Sequence, residues 1–244
     1  MEVKMPRILT EVLADEKKHR IKGGIYNKLQ VDFAYNSNHI EGSRLSREQT
    51  RYIFETKTVG IEPARVDDII ETVNHFRAFD LIIDTFACDI SGDYIKNIHK
   101  TLKTGTLSAD SEEAVVGDYK KYPNYVGDMQ TAKPADVPDE MHRLITAYSG
   151  KNPDFDDILA FHAQFEKIHP FYDGNGRTGR LLMFKECLKN GMTPFIIADE
   201  YKAYYYNGLN KWQTGGDKAY LRDTCLLMQD NMKAVLDYFG IAHQ

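Results

Sequence analysis

Apolar residues recur at alternating three- and four-residue spacing over most of the chain, a spacing that predicts amphipathic helices. The clearest stripe runs from Leu221 to Phe239, and Gly240 stands where a helix of that extent would end. Its packing positions include Cys225. Shorter stripes of the same kind predict helices over residues 66–83, 94–102 and 137–148. The pattern therefore predicts a mainly helical protein.

One segment breaks this helical pattern. Residues 117–127, GDYKKYPNYVG, are rich in tyrosine and partly alternating, with Pro123 and Asn124 at their middle. Such a sequence pattern favours a short β-hairpin over a helix. Because a lone hairpin buries little surface, we expect it to lie over another part of the protein.

Length, charge and cysteine content narrow the class of protein. The chain has 244 residues, 42% of them hydrophobic, and a formal net charge of −5. This composition is typical of a globular domain and gives no general attraction to nucleic acid or to a membrane surface. The three cysteines have no CxxC spacing, and no apolar run reaches the ~20 residues that span a bilayer. We therefore expect a soluble cytoplasmic protein with neither a nucleic acid nor a membrane as partner.

Two predicted helices are joined by a glycine turn. Asp154 and Asp156 are placed to cap the first helix, which ends at His169 because Pro170 follows. The sequence FYDGNG then leads into a second amphipathic helix that ends at Asn190-Gly191. Glycines allow successive N–H groups to converge, and together with the N-terminus of the second helix they form a site for an anion.

The side chains around this turn suit chemistry on a phosphate. His169 can accept a proton from a hydroxyl group, and Asp173 offers a carboxylate to Mg²⁺. Arg177 and Arg180 lie in the first turn of the second helix, where their charge opposes the helix dipole but can clamp phosphate oxygens. Together these residues predict transfer of a phosphate-centred group.

The segment HPFYDGNGRTGR, residues 169–180, resembles the Fic family signature H-x-F-x-[D/E]-G-N-G-R-x-x-R at every specified position. This resemblance implies a mainly α fold, with a Fic-type helical core at 63–244 and a hairpin flap at about 117–129 over the active site. Residues 1–62 would form an N-terminal helical region. Most members of the family move AMP from ATP onto a Ser, Thr or Tyr hydroxyl of a protein and release pyrophosphate.

The resemblance also implies a role for each site residue. His169 would be the catalytic base, and Asp173 would hold Mg²⁺ (or Mn²⁺) together with ATP. The implied nucleotide-binding residues are Gly174, Asn175, Gly176, Arg177, Thr178, Gly179, Arg180, Val126, Gly127, Asp128, Met129, Tyr205 and Tyr206. Tyr205 and Tyr206 could equally be packing aromatics.

A second motif lies far upstream. SNHIEG, residues 37–42, resembles the family's inhibitory motif [S/T]-x-x-x-E-[G/N], in which a glutamate pairs with the second arginine of the signature. That resemblance makes Ser37, Glu41 and Gly42 the inhibitory residues and predicts an ion pair between Glu41 and Arg180. A buried carboxylate in this position would neutralise the arginine and repel the γ-phosphate.

The partners implied are ATP and a protein target. By the resemblance, the flap holds the target by strand addition, with Tyr125 and Val126 as the candidate edge. Self-modification and a homo-oligomer are further expectations from relatives. Other readings stay open at this point: removal of AMP with Glu41 positioning water, transfer of phosphate, phosphocholine or UMP, or a nucleotide-sensing module without catalysis.

Overall fold

Ten α-helices make up most of residues 7–127 and 129–243, the part of the chain that the computed structural model describes. The helices are α1 Leu9–His19, α2 Ile25–Ile40, α3 Arg47–Thr56, α4 Val66–Thr85, α5 Gly92–Lys103, α6 Val137–Tyr148, α7 Phe155–Ile168, α8 Asn175–Lys189, α9 Lys202–Gln213 and α10 Ala219–Tyr238. Short 3₁₀ helices span Leu107–Asp110 and Asp199–Tyr201. The prediction of a mainly helical fold is confirmed.

Four two-residue strands complete the secondary structure of the described residues. β1 Arg7–Ile8 pairs in parallel with β4 Ile241–Ala242, and this pairing ties the two ends of the described chain together. β2 Tyr125–Val126 and β3 Met129–Gln130 form an antiparallel hairpin. None of the helices in the described ranges is long and apolar enough to cross a membrane.

Helix α8 lies at the centre of the fold. Every residue from Arg177 to Leu188 is buried, and a helix that is buried on all sides must be enclosed by others. The aromatic ring of Phe184 packs 5.3 Å from that of Phe33 on α2 and 5.2 Å from that of Phe79 on α4. The N-terminal helices thus share one hydrophobic core with the signature helix. The boundary proposed at residues 62 and 63 falls between α3 and α4.

The hairpin lies a few residues later than the sequence predicts. Pro123 and Asn124 are not at its turn, because Val126 pairs with Met129 and Gly127 follows β2 in the left-handed region at φ 57°. The prediction of a hairpin centred on residues 123 and 124 is therefore wrong in position. The physical reason is that the Asn124 side chain is used as an anchor: it donates to the Phe171 carbonyl at 3.1 Å.

The segments on both sides of the hairpin are fastened to the signature. Lys120 N–H donates to the Pro170 carbonyl at 2.9 Å, and Ala132 N–H donates to the Ile168 carbonyl at 3.3 Å. The Lys120 ammonium group also donates to the side chain of Asn124 at 2.7 Å. These bonds hold the hairpin beside the end of α7, where the expected flap would lie.

Candidate active site

The turn between α7 and α8 is held by its own side chains. A capping box of Asp154 and Asp157 starts α7. His169 ends α7 in the left-handed region at φ 52°, with Pro170 following. The Asn175 side chain then bonds both the N–H and the carbonyl of Phe171 at 2.9 Å, which closes the turn into the start of α8.

The ring of Phe171 fixes this turn to the core. It is fully buried and lies stacked on the imidazole of His99, with 3.8 Å between ring centroids. His99 in turn accepts from Gly117 N–H at Nδ1, so its Nε2–H donates to the Asp173 carbonyl at 3.0 Å. His99 therefore packs against Phe171 and braces the turn through its two hydrogen bonds.

His169 opens onto a cavity of about 660 Å³. Its side chain is 18% exposed, and burial together with the neighbouring Lys120 ammonium lowers its pKa to about 4. The imidazole is therefore neutral near pH 7 and can accept a proton. The Nδ1 atom is buried, so Nε2 is the nitrogen that the cavity can reach.

The N-terminus of α8 supplies anion-binding groups to the same cavity. Thr178 N–H donates to the Gly174 carbonyl at 3.0 Å, so the N–H groups of Asn175, Gly176 and Arg177 precede the first bond of the helix. Gly176 lines the cavity. An added Cβ there would lie 2.3 Å from Oε1 of Glu41, so the carboxylate of Glu41 rests directly on this end of the helix.

The SNHIEG segment, residues 37–42, and Arg180 are in contact. Ser37 lies in the last turn of α2, and Glu41 caps that helix. Arg180 donates from Nη2 to Glu41 Oε1 at 2.7 Å, from Nε to Ser37 Oγ at 3.0 Å and from Nη2 to the Ser37 carbonyl at 3.0 Å. Gly42 then leaves the helix at φ 97°, a conformation that favours glycine.

This contact is electrostatically strong. The side chain of Arg180 is 2% exposed and that of Glu41 is 25% exposed. Burial opposes the charge of Arg180, but the carboxylate of Glu41 holds the pKa of the guanidinium above its usual range. Nη1 of Arg180 has no hydrogen-bond partner among the described residues and lies next to Gly176.

Arg177, the first arginine of the signature, does not face the cavity in which the resemblance implies that it binds the nucleotide. Arg177 is buried and does not line the cavity; it pairs with Glu71 at 2.6 Å and with Asp173 at 3.4 Å. Lys103 joins the same network, 2.8 Å from Glu71 and 2.7 Å from Asp173. A phosphate could reach the guanidinium of Arg177 only by displacing these carboxylates. Its role in nucleotide binding stays a prediction.

Asp173 is an ionised carboxylate with cations already beside it. Burial opposes its charge, but Arg177 and Lys103 hold the pKa of Asp173 well below its usual range. The described residues contain no group of three or more His, Cys, Asp or Glu side chains arranged to hold a metal. One carboxylate, 39% exposed, suits Mg²⁺ when phosphate oxygens and waters supply the other ligands. The site therefore fits a metal that arrives with a phosphate.

Two predicted nucleotide contacts are engaged inside the protein. Thr178 gives both its N–H and its hydroxyl to the Gly174 carbonyl, so neither group is free for a phosphate. Gly179 is buried against Glu166 and His162, where a Cβ would lie 2.6 Å from Glu166 Oε1. The contacts of Thr178 and Gly179 thus favour a packing role, because their positions on α8 face its neighbours.

The two tyrosines of α9 differ in exposure. Tyr205 is fully buried and its hydroxyl lies 2.7 Å from His162 Nε2, and it is one of the residues that line the cavity. Tyr206 lines the same cavity and is 42% exposed, which leaves its ring open to a base or a sugar. Val126, Gly127 and Met129 line the same cavity. Asp128 lies outside the described residues.

Sequence reasoning missed four charged or polar residues of the site. They are Glu71, Lys103, Lys120 and Glu166. Glu71, Lys103 and Lys120 are single polar positions on a helix or loop with no spacing motif, so nothing along the chain distinguishes them. Glu166 lies three residues before His169, on the same face of α7, and that spacing is the one signal that could have identified it.

Comparisons with known proteins agree with this site. Residues 89–187 match the model of the Fic/DOC family. The chain is 28% identical over 195 residues to the protein adenylyltransferase Fic of Nematostella vectensis and 29% identical over 192 residues to that of Drosophila willistoni. Each match covers 77% of this chain, but only 44% and 38% of the respective relative. The chain thus spans less than half the length of these relatives.

Solved structures show the same fold. A Fic domain containing signaling protein from Bacteroides thetaiotaomicron superposes with a TM-score of 0.74 at 22% identity, over 95% of both chains. Fic-1 from C. elegans gives a TM-score of 0.74 at 22% identity, over 94% of this chain and 70% of that one.

Proposed function

We propose that this chain, a member of the Fic/DOC family through residues 89–187, transfers AMP from ATP to a hydroxyl group of a protein. The observation that carries the proposal is one cavity lined by His169, by Gly176 at the N-terminus of α8 and by Arg180. A base and an anion site thereby face the same space. The relatives named protein adenylyltransferase Fic support the choice of reaction.

The chemistry follows from these positions. The neutral imidazole of His169 accepts the proton of the target hydroxyl as its oxygen bonds to the α-phosphorus of ATP. The bond from that phosphorus to the bridging oxygen breaks, and pyrophosphate leaves. The first-turn N–H groups of α8 and the guanidinium of Arg180 hold the phosphate oxygens and stabilise their charge. Asp173 would hold Mg²⁺ or Mn²⁺, which offsets phosphate charge when bound.

We further propose that the protein is autoinhibited. Glu41 takes the same donors that an ATP phosphate needs, because it bonds Arg180 at 2.7 Å and rests on Gly176. An anion and a carboxylate cannot share these donors without repulsion. ATP can then bind only in an unreactive pose, or after α2 and its cap have moved away from α8.

The hairpin is the proposed docking edge for the protein target. Tyr125 is 65% exposed and Val126 is 39% exposed, and both belong to a strand with one partner among the described residues. Main-chain bonds from a target segment to this edge would place a hydroxyl near His169 with few demands on target sequence.

A second candidate reaction is removal of AMP from a modified protein. The carboxylate of Glu41 lines the cavity, where it could orient a water molecule toward a bound phosphate. In that reaction Glu41→Gly would abolish activity, whereas it raises the activity of an autoinhibited transferase.

Labelled ATP tests these assignments. Wild-type protein and Glu41→Gly are incubated with a lysate and either α- or γ-labelled ATP in parallel. Label from the α position on protein, increased by Glu41→Gly, supports AMP transfer; label from the γ position alone would show phosphate transfer. ATP binding with no label on any protein from either variant would favour a nucleotide-sensing role and contradict the proposal.

A further inference from the structure

Three buried polar atoms near the catalytic histidine lack hydrogen-bond partners among residues 7–127 and 129–243. They are Nδ1 of His169, Oε1 of Glu166 and Nδ1 of His162. Buried polar groups are nearly always paired, so three in one place require an explanation. The transfer chemistry above uses Nε2 of His169 and none of these atoms.

Glu166 lies between the two histidines on helix α7. Its Oε2 is 3.9 Å from Nδ1 of His169, which is longer than a hydrogen bond, so a direct bond requires the carboxyl group to move closer. On its other side, Oε1 of Glu166 and Nδ1 of His162 both crowd Gly179, at 2.6 and 2.8 Å from the position of an added Cβ. The carboxyl group thus lies between these two ring nitrogens, and the two rings also face main-chain groups, of Glu166 for His169 and of Gly179 for His162.

Burial of the Glu166 carboxyl favours its uncharged form. Burial raises the pKa of the Glu166 carboxyl to about 8, with Arg180 opposing the shift and Glu41 adding to it. Burial also lowers the pKa of His162 to about 3, so this imidazole is neutral and one ring nitrogen accepts. An uncharged carboxyl group has one oxygen that accepts and one O–H that donates.

The other groups near the carboxyl come from three helices. The titratable and charged groups that interact with Glu166 are Glu41 at the end of α2, Arg180 on α8, and Tyr205 and Tyr206 on α9. Their effects are smaller than that of burial, because burial is the largest cause of the shift.

We infer that Glu166 is a positioning residue for His169: its carboxyl group accepts from Nδ1–H of His169 and donates to Nδ1 of His162. This bridge rests on the proposed role of His169 as the base. It fixes the proton of His169 on Nδ1 and so keeps the lone pair of Nε2 toward the cavity. It also prevents rotation of the ring away from the target hydroxyl.

A glutamine has the same arrangement of acceptor and donor as an uncharged carboxyl group, and this makes the inference testable. Glu166→Gln should preserve the bridge, whereas Glu166→Leu keeps much of the volume but removes both hydrogen bonds. Both variants are made in the Glu41→Gly background, so that inhibition does not mask the rate. Gln164→Ala, an exposed position on the same helix, is the matched control.

Two measurements separate positioning from packing. The first is kcat and KM for ATP from incorporation of the α-label. We expect Glu166→Leu to lower kcat by up to about 100-fold with KM for ATP unchanged, since ring misplacement affects the reaction and not the phosphates. Glu166→Gln and Gln164→Ala should have kcat and KM values close to those of the Glu41→Gly parent.

The second measurement is the ¹⁵N spectrum of His169 without ATP. Among these variants, only Glu166→Leu should lose the form of His169 that is protonated at Nδ1.

Either of two results would overturn the inference. If Glu166→Leu keeps both kcat and the Nδ1–H form, the main-chain carbonyl of Glu166, which also faces this ring, is sufficient to orient it. If Glu166→Gln is impaired as much as Glu166→Leu, the residue acts through its charge and not as a bridge. Absence of label in the Glu41→Gly parent would contradict the proposed function instead, while the ¹⁵N spectra would still decide the role of Glu166.

Discussion

Glu41 and Arg180 stand 139 positions apart in the sequence and form a 2.7 Å ion pair at the N-terminal turn of α8. The carboxylate lies against Gly176, the glycine whose N–H belongs to the anion-binding end of that helix. The same pair therefore holds α2 to α8 and lies where a phosphate would bind in the proposed reaction.

This pair predicts an order of effects among variants. Glu41→Gly should raise AMP transfer, Arg180→Ala should abolish it, and the double variant should behave like Arg180→Ala. A charge-assisted hydrogen bond of about 1.5–3 kcal/mol must be broken before the phosphate binds, which corresponds to roughly ten- to hundredfold suppression. The measurement is the initial rate of α-label incorporation in all four proteins. Equal rates for wild type and Glu41→Gly would show that SNHIEG is only a helix end.

A second prediction concerns the base. His169→Ala should bind ATP as wild type does, because the phosphates are held by α8 and Arg180, but it should lose about 10²–10⁴-fold in transfer rate. Calorimetry gives the affinity and α-label incorporation gives the rate, both in the Glu41→Gly background. Unchanged transfer by His169→Ala would remove this residue from the mechanism.

A third prediction concerns the metal. Asp173 is paired with Lys103 at 2.7 Å, so Mg²⁺ without a phosphate has one carboxylate to bind and a cation to displace. We expect no measurable heat when Mg²⁺ is added to the protein alone, and binding when a non-hydrolysable ATP analogue is present. Asp173→Asn should lose the second signal. Tight binding of Mg²⁺ to the nucleotide-free protein would contradict the prediction.

A fourth prediction concerns stability in acid. Burial lowers the pKa of His75 and His162 to about 3 and of His99 and His169 to about 4, all from an ordinary 6.5. The unfolded chain therefore binds more protons than the folded one below pH 6.5, and the free energy of unfolding falls as pH decreases from 6.5 toward 4.

The slope of the free energy of unfolding against pH tests whether the buried histidines cause this loss of stability. Each such histidine contributes about 1.4 kcal/mol per pH unit within this window. Chemical denaturation at pH 7, 6 and 5 should therefore give a smaller slope for His75→Gln than for wild type. His142→Gln, at an exposed histidine, is the control. An identical slope for His75→Gln and wild type would show that burial of His75 does not set the acid sensitivity.

The local features of this protein could be predicted from its sequence. The apolar stripe from Leu221 to Phe239 predicted α10, which spans Ala219–Tyr238, and the stripe over residues 137–148 predicted α6, which spans Val137–Tyr148. Such predictions succeed because amphipathic periodicity is contained within one helix. The signature residues 169–180 also predicted that a candidate base, a carboxylate and an anion-binding turn lie together. They lie within a few residues of one another, so no distant contact is needed to bring them into one site.

The contacts and burial of those side chains could be seen only in the folded structure. The two arginines of the signature differ in their surroundings. Arg177 forms ion pairs with Glu71 and Asp173, whereas Arg180 lines the cavity. Likewise Tyr205 is buried while its neighbour Tyr206 is exposed, and burial raises the pKa of the Glu166 carboxyl. Burial and partner choice depend on which helices pack around α8, and periodicity along one segment carries no information about that packing.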